Sequence, residues 1–220
     1  MKKILMLAMV LQVLLFTGSA MATPITLADL TVPGTTLQVE DKLFSNFSYS
    51  PSAQGGAIAP TAAGITVIPD STPFNPGLGF QANWFVSSNQ LLDSQIDFDV
   101  QVLQGGNRIK DISATLVSFG IESTGSIVFT ENTTNPTKSL ILIIDSNQTK
   151  SFDEVTFNPT SGIIHVHKDL GLSGGTGEDG IATVSLLKNN FSEVPEPATM
   201  LLLGSGLLGM GVYAKRRFIK

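Results

Sequence analysis

An all-β body, built as an antiparallel β-sandwich of jelly-roll type, follows from three features of this 220-residue sequence. Short apolar or alternating runs recur through its middle, clusters of Gly, Pro, Asn and Ser separate them, and sustained helical periodicity is confined to the two ends. The clearest run is Ser94–Leu103. Ile96, Phe98, Val100 and Val102 fall on one side of it, and Asp97, Asp99 and Gln101 on the other. One face on a core and one in water marks an antiparallel sheet.

The same reading places strands at Leu37–Phe44, Phe47–Tyr49, Gly64–Ile68, Gly79–Val86, Asp111–Phe119 and Ser126–Thr130. It continues with Ser139–Ile144, Glu154–Phe157, Gly162–Lys168 and Ile181–Leu187. About eleven such segments suit a single sandwich. Residues 54–88 are rich in Pro and Gly and are expected to form a long irregular excursion. No repeat of fixed period is present.

Both ends read as export devices. Lys2 and Lys3 precede an apolar run from Ile4 to Phe16, and Ala20-Met21-Ala22 supplies a small-x-small cleavage site. A basic start, an apolar core and such a site describe a secretory signal peptide, so signal peptidase is expected to cut after Ala22. At the other end Val194-Pro195-Glu196-Pro197 leads into about 17 uncharged residues, Ala198–Ala214, and then Lys215, Arg216, Arg217 and Lys220. A helix of that length spans about 25 Å at 1.5 Å per residue, enough to insert with its basic flank snorkelling. The bases favour the cytoplasmic side, which puts the body outside the inner membrane. Pro195 and Pro197 keep their neighbours extended, the form a processing enzyme needs. The expected division is therefore residues 1–22 as signal peptide, 23–193 as the β body and 194–220 as the sorting tail.

The ending VPEPATMLLLGSGLLGMGVYAKRRFIK resembles the sorting signal of PEP-CTERM proteins. These are exosortase substrates of Gram-negative bacteria that make extracellular polysaccharide. The resemblance implies that Pro195, Glu196 and Pro197 are read by the exosortase. It also implies a passage from the inner membrane, with the body in the periplasm, to the cell surface or medium. The stretches Asp41–Ser50 and Ile163–Gly180 are similar to segments of many such bodies, whose activities are mostly unassigned.

Charge and composition narrow the function of the body. Seven bases face all 18 acids between Asp29 and Glu196, a net charge near −11. Phosphate binding needs clustered cations, so nucleic acid is not an expected partner. The absence of cysteine excludes disulfides, thiolate zinc sites and cysteine nucleophiles. No Gly-x-Ser-x-Gly and no phosphate-binding loop is present.

The remaining candidates each have a plain structural alternative. His165 and His167 are the only histidines, and at i and i+2 they share a strand face that Asp169 could join. That face is either a metal-binding His-x-His-x-Asp set or two surface histidines. Asp93, Asp97 and Asp99 form an acidic group, and residues 174–180 a Gly-rich acidic loop. The loop is a calcium site of unusual spacing or a turn between strands. Trp84 and Tyr49 are stacking surfaces for a sugar or core residues. No cofactor and no catalytic residue is expected. The leading expectation is a non-enzymatic surface or matrix protein associated with exopolysaccharide. A carbohydrate-binding module and a polysaccharide hydrolase are the alternatives.

Overall fold

The computed structural model describes residues 25–194, together with Ser205 and Gly206. The signal-cleavage residues Ala20 and Ala22, the motif Pro195, Glu196 and Pro197, and the basic residues Lys215, Arg216 and Arg217 lie outside these. Among the described residues no helix is long and apolar enough to cross a membrane.

The chain runs β1 (Ile25–Thr26), α1 (Leu27–Leu30), β2 (Thr36–Val39), β3 (Lys42–Gln54), a 3-10 turn (Ala62–Gly64), β4 (Thr66–Asp70) and β5 (Gly77–Ser87). It continues with β6 (Leu91–Val102), β7 (Arg108–Glu122), β8 (Ser126–Thr134), β9 (Lys138–Ile144) and β10 (Thr149–Lys150). β11 (Phe152–Thr160), β12 (Ile164–Ser173), β13 (Ile181–Asn190) and β14 (Glu193–Val194) complete it. Sheet I has the order β1-β4-β5-β13-β7-β11, with β14 also on β7, and sheet II the order β10-β9-β8-β12-β6-β3-β2. Every described pairing is antiparallel. The chain crosses between sheets at β1–β2, β3–β4, β5–β6, β6–β7, β7–β8, β10–β11, β11–β12 and β12–β13. Late in the sequence β12 inserts between β6 and β8, and β13 between β5 and β7. The molecule is an all-β antiparallel sandwich.

Nine of the eleven segments expected from the sequence are strands of their own, most of them longer, and Phe47–Tyr49 is the middle of β3. Leu37–Phe44 is not one strand: it breaks at Glu40, which adopts a positive φ of 52°, into the hairpin β2–β3. The irregular excursion expected over residues 54–88 is also corrected. β4 and β5 occupy much of it, because Val67, Leu78, Phe80, Trp84 and Val86 supply inward apolar side chains.

Alternation drives the packing. Along β6, Leu92, Ile96, Phe98, Val100 and Val102 are buried while the intervening acids are not. Phe98 sits at the centre of an aromatic group, with ring centroids 5.9 Å from Phe44, 5.4 Å from Phe47, 6.1 Å from Phe80 and 6.3 Å from Phe191. Stacked, tilted and edge-on pairs at such distances add to the hydrophobic term. β14 takes up pairing with β7 where β13 leaves off: Asn190 faces Ser113, then Glu193 faces Ile109 and Val194 faces Arg108.

Candidate functional site

The outer face of sheet II carries the main polar constellation. The residues of β6 that point away from the core include Asp93, Gln95, Asp97 and Asp99. Strand register sets His165 opposite Asp99, His167 opposite Asp97, Asp169 opposite Gln95 and Gly171 opposite Asp93. On the other flank β3 sets Ser48 opposite Asp97, Ser50 opposite Gln95 and Ser52 opposite Asp93. β8 adds Thr134, Asn132 and Thr130 beside His165, His167 and Asp169.

Two ladders of hydrogen bonds cross this face. Asp99 receives Asn46 Nδ2 at 2.7 Å on one oxygen and His165 Nδ1 on the other. Asp97 receives Ser48 Oγ at 3.0 Å on one oxygen and pairs with His167 Nδ1 at 2.6 Å on the other. A bulge in β3 brings Asn46, at a φ of 55°, over Asp99. With Nδ1 donating to a carboxylate, each ring is held in one orientation. Both rings are about half exposed.

Of the two readings of the histidine face, the one in which Asp169 joins the histidines as a ligand set does not hold among the described residues. Asp169 lies beside Asp93 instead, and burial first, then the Asp169 carboxyl, push Asp93 up to about 6 from an ordinary 3.8. Among the described residues no group of three or more His, Cys, Asp or Glu is arranged to hold a metal ion. A shallow open depression beside Asp93 is lined by Ser52, Gln54, Leu92, Ser126 and Val128.

The proposed stacking rings are placed elsewhere. Trp84 is wholly buried, with Nε1 donating to Ser94 Oγ at 3.1 Å. Tyr49 packs on the core edge and its hydroxyl donates to the Pro60 carbonyl at 2.8 Å. The loop 174–180 is tied to its neighbours: Gly174 N–H donates to Gln90 O, Asn89 N–H to Gly175 O, and Gly180 N–H to Ser88 Oγ.

A second constellation sits where the chain leaves the sandwich. Lys42 is buried and donates to Glu193, to Asp41 and, at 3.0 Å, to the Asn107 carbonyl. Asn107 Nδ2 donates to the other Glu193 oxygen at 3.0 Å. Burial first, then the facing Asp41, push the Glu193 carboxyl up. Asp41 is pushed up by its own burial, but its bonds to Glu193, Lys42 and the Asn107 N–H outweigh that and hold it low. A third, fully internal group joins Lys168 of β12, Glu131 of β8 and Asn189 of β13. The sequence reading missed both lysines, although each continues the inward alternation of its strand.

Residues 193–217 match the family model described as the PEP-CTERM protein-sorting motif. The chain carries a PEP-CTERM sorting signal. Its first two residues, Glu193 and Val194, are β14, the last described strand of the sandwich. The signal marks an exported protein processed by an exosortase. No curated protein matches this sequence.

Among solved structures, the chain is similar to TmCBM61 in complex with β-1,4-galactotriose. The identity is 9% and the TM-score 0.30, over 64% of this chain and 86% of that one. It is also similar to the family 11 carbohydrate-binding module from Clostridium thermocellum in complex with a mixed-linked tetrasaccharide, at 12% identity and TM-score 0.24. That match covers 66% of this chain and 89% of that one. A third is the enzymatically active domain of bacteriophage CBA120 tailspike protein 4, at 11% identity and TM-score 0.30. It covers 66% of this chain and 19% of that one.

Proposed function

We propose that this PEP-CTERM protein is a non-enzymatic component of the cell surface or extracellular matrix, delivered by an exosortase and associated with exopolysaccharide. Signal peptidase releases the N-terminus at Ala22, and the apolar tail holds the body at the outer side of the inner membrane. The exosortase then acts near Pro195-Glu196-Pro197 and the body passes to the surface or medium. The observation that carries this reading is the sorting signal at residues 193–217, which begins within the last described strand of the sandwich.

The non-enzymatic reading draws support from how the carboxylates are used. Asp97 and Asp99 are each engaged by a histidine and a second donor. Asp93 and Asp169 lie side by side on an open face, whereas a glycosidase sets its two carboxyls across a cleft, roughly 5 Å or more apart.

The test is the intact mass of the exported product from a host with a working exosortase. A mass starting at Thr23 and ending near Pro197, with or without an attached group, is the expected result. A chain kept whole in membranes through Lys220 overturns it.

One observation favours a carbohydrate-binding version of this reading. The outer face of sheet II offers an array of oriented donors and acceptors, Asn46, Ser48, Asp97, Asp99, Asn132, His165 and His167, most of them lining a shallow depression, suited to a polymer of hydroxyl groups. Retention of the product on isolated exopolysaccharide, and at least tenfold weaker retention of the His165→Ala/His167→Ala variant, checks it. Equal retention of the two rejects that face as the binding surface.

A further inference from the structure

Lys168, Glu131 and Asn189 meet between the sheets with almost no exposure. Lys168 Nζ donates to Glu131 Oε2, and Asn189 Nδ2 donates to Glu131 Oε1 at 3.0 Å. One carboxylate therefore bridges an amine from sheet II and a carboxamide from sheet I. The surroundings are apolar. The Phe129, Phe98 and Phe80 ring centroids lie 5.2, 5.7 and 5.9 Å from Nζ. Asn189 Nδ2 also donates to the Ser113 carbonyl at 2.9 Å, which fixes the amide plane, while its buried Oδ1 has no hydrogen-bond partner. A buried charge pair beside an unsatisfied carbonyl is a costly arrangement to keep.

We infer that this triad is the site of a self-catalysed amide cross-link between Lys168 and Asn189. The reaction balances without any co-reactant. A proton passes from Nζ to Glu131, leaving a neutral amine and a neutral acid. Nζ attacks Asn189 Cγ, a new Nζ–Cγ bond forms, and the Cγ–Nδ2 bond breaks. Nζ gives up its second proton to Glu131 as the bond forms, Nδ2 receives the two protons in turn through Glu131, and Nδ2 leaves as ammonium. No atom is oxidised or reduced, and Glu131 ends as it began.

The environment favours each step. Burial pushes the Lys168 amine down, against the opposing pull of Glu131, so the nucleophilic form is within reach. Glu131 touches both the attacking and the leaving nitrogen, the position required of a proton carrier. The cluster around Lys42 is an internal contrast. There a lysine and an asparagine again share a glutamate, but Lys42 is gripped by two carboxylates and a backbone carbonyl. Asn107 is also partly open to solvent. The cross-link is assigned to Lys168 alone. It would join the two sheets covalently in an exported chain that has no cysteine.

The test is peptide mapping of the folded, exported protein after denaturation. The expected result is a branched peptide joining Lys168 to Asn189, one ammonia lighter than its two parts, with no tryptic cleavage after Lys168. Glu131→Gln and Asn189→Ala should each restore the full mass and that cleavage. The wild-type map decides the matter even if a variant fails to fold, and it does not depend on how the termini are processed. Three results overturn the assignment. They are a full-mass chain cut after Lys168, loss of ammonia without a branch (a succinimide), and loss of water joining Lys168 to Glu131.

Discussion

Lys42 opens β3 in sheet II and Glu193 opens β14 against sheet I, yet the two meet as a buried ion pair across 151 positions of sequence. Glu193 is also the first residue matched by the sorting signal. The matched region therefore begins within the last described strand of the sandwich. Lys42→Met removes the cation from two carboxylates, Glu193 and Asp41, and should cost about 3–5 kcal/mol. Glu193→Leu leaves Lys42 paired with Asp41 and should cost less. The Lys42→Met/Glu193→Leu double variant should cost less than the sum of its single variants. Urea unfolding of the four proteins checks this. Additive effects would mean that the pair does not act as a unit.

Two aspartates should give stability profiles of opposite sign. Burial pushes Asp70 up, but hydrogen bonds from Thr72, Lys188 and Asn190 outweigh it and hold Asp70 at about 2. Its stabilisation is present above pH 4 and is lost as pH falls through about 2. Asp93, raised to about 6, contributes stability that is full below its ordinary 3.8 and is lost as pH rises through 6. At pH 7 Asp93→Asn should stabilise and Asp70→Asn should destabilise, each by about 1 kcal/mol after allowance for solvent screening. At pH 3 the Asp93→Asn advantage should vanish. Thermal midpoints of both variants at the two pH values measure it.

The sandwich was legible because its inward residues alternate. Val100, Phe98 and Ile96 announce β6, and His165 and His167 were correctly set on one outer face. Register was not legible. Nothing local in Asp97 and Asp99 says that His167 and His165 will lie opposite them 70 and 66 residues later. The buried charges were missed for a different reason. Lys168 follows Ile164 and Val166 in the inward series, and Glu131 follows Ile127 and Phe129 in the same way. The period-two pattern that identified the strands therefore also pointed these side chains into the core, against the usual exposure of lysine and glutamate. The two-residue strands β1, β10 and β14 carry no pattern of their own and exist through pairing with longer neighbours.

Trp84, the single tryptophan, should report on the core and not on any ligand. Its ring is fully buried and its N–H is taken by Ser94. Emission should be that of an apolar site and should not change when exopolysaccharide is added, even if the outer face of sheet II binds it. Trp84→Ala should cost about 3–5 kcal/mol. A fluorescence shift on adding polysaccharide, without unfolding, would place the sugar against the core edge and contradict the packing.

The loop 174–180 should depend on glycine rather than on calcium. A Cβ on Gly180 would meet the Gly174 carbonyl oxygen at 1.7 Å, and one on Gly174 would meet the Ser87 carbonyl oxygen at 1.9 Å. Both obstacles are backbone atoms already engaged in hydrogen bonds, Gly174 O with Thr124 Oγ1 and Ser87 O with the Gln90 N–H of its own turn. They cannot yield as the end of a flexible side chain does. Gly180→Ala and Gly174→Ala should each destabilise by about 1–3 kcal/mol. Removal of divalent cations should leave the thermal midpoint of the wild type unchanged, because hydrogen bonds among protein groups already order the loop. Thermal unfolding with and without a chelator measures both effects. A chelator-induced drop of several degrees would assign Glu178 and Asp179 to a cation that stabilises the fold.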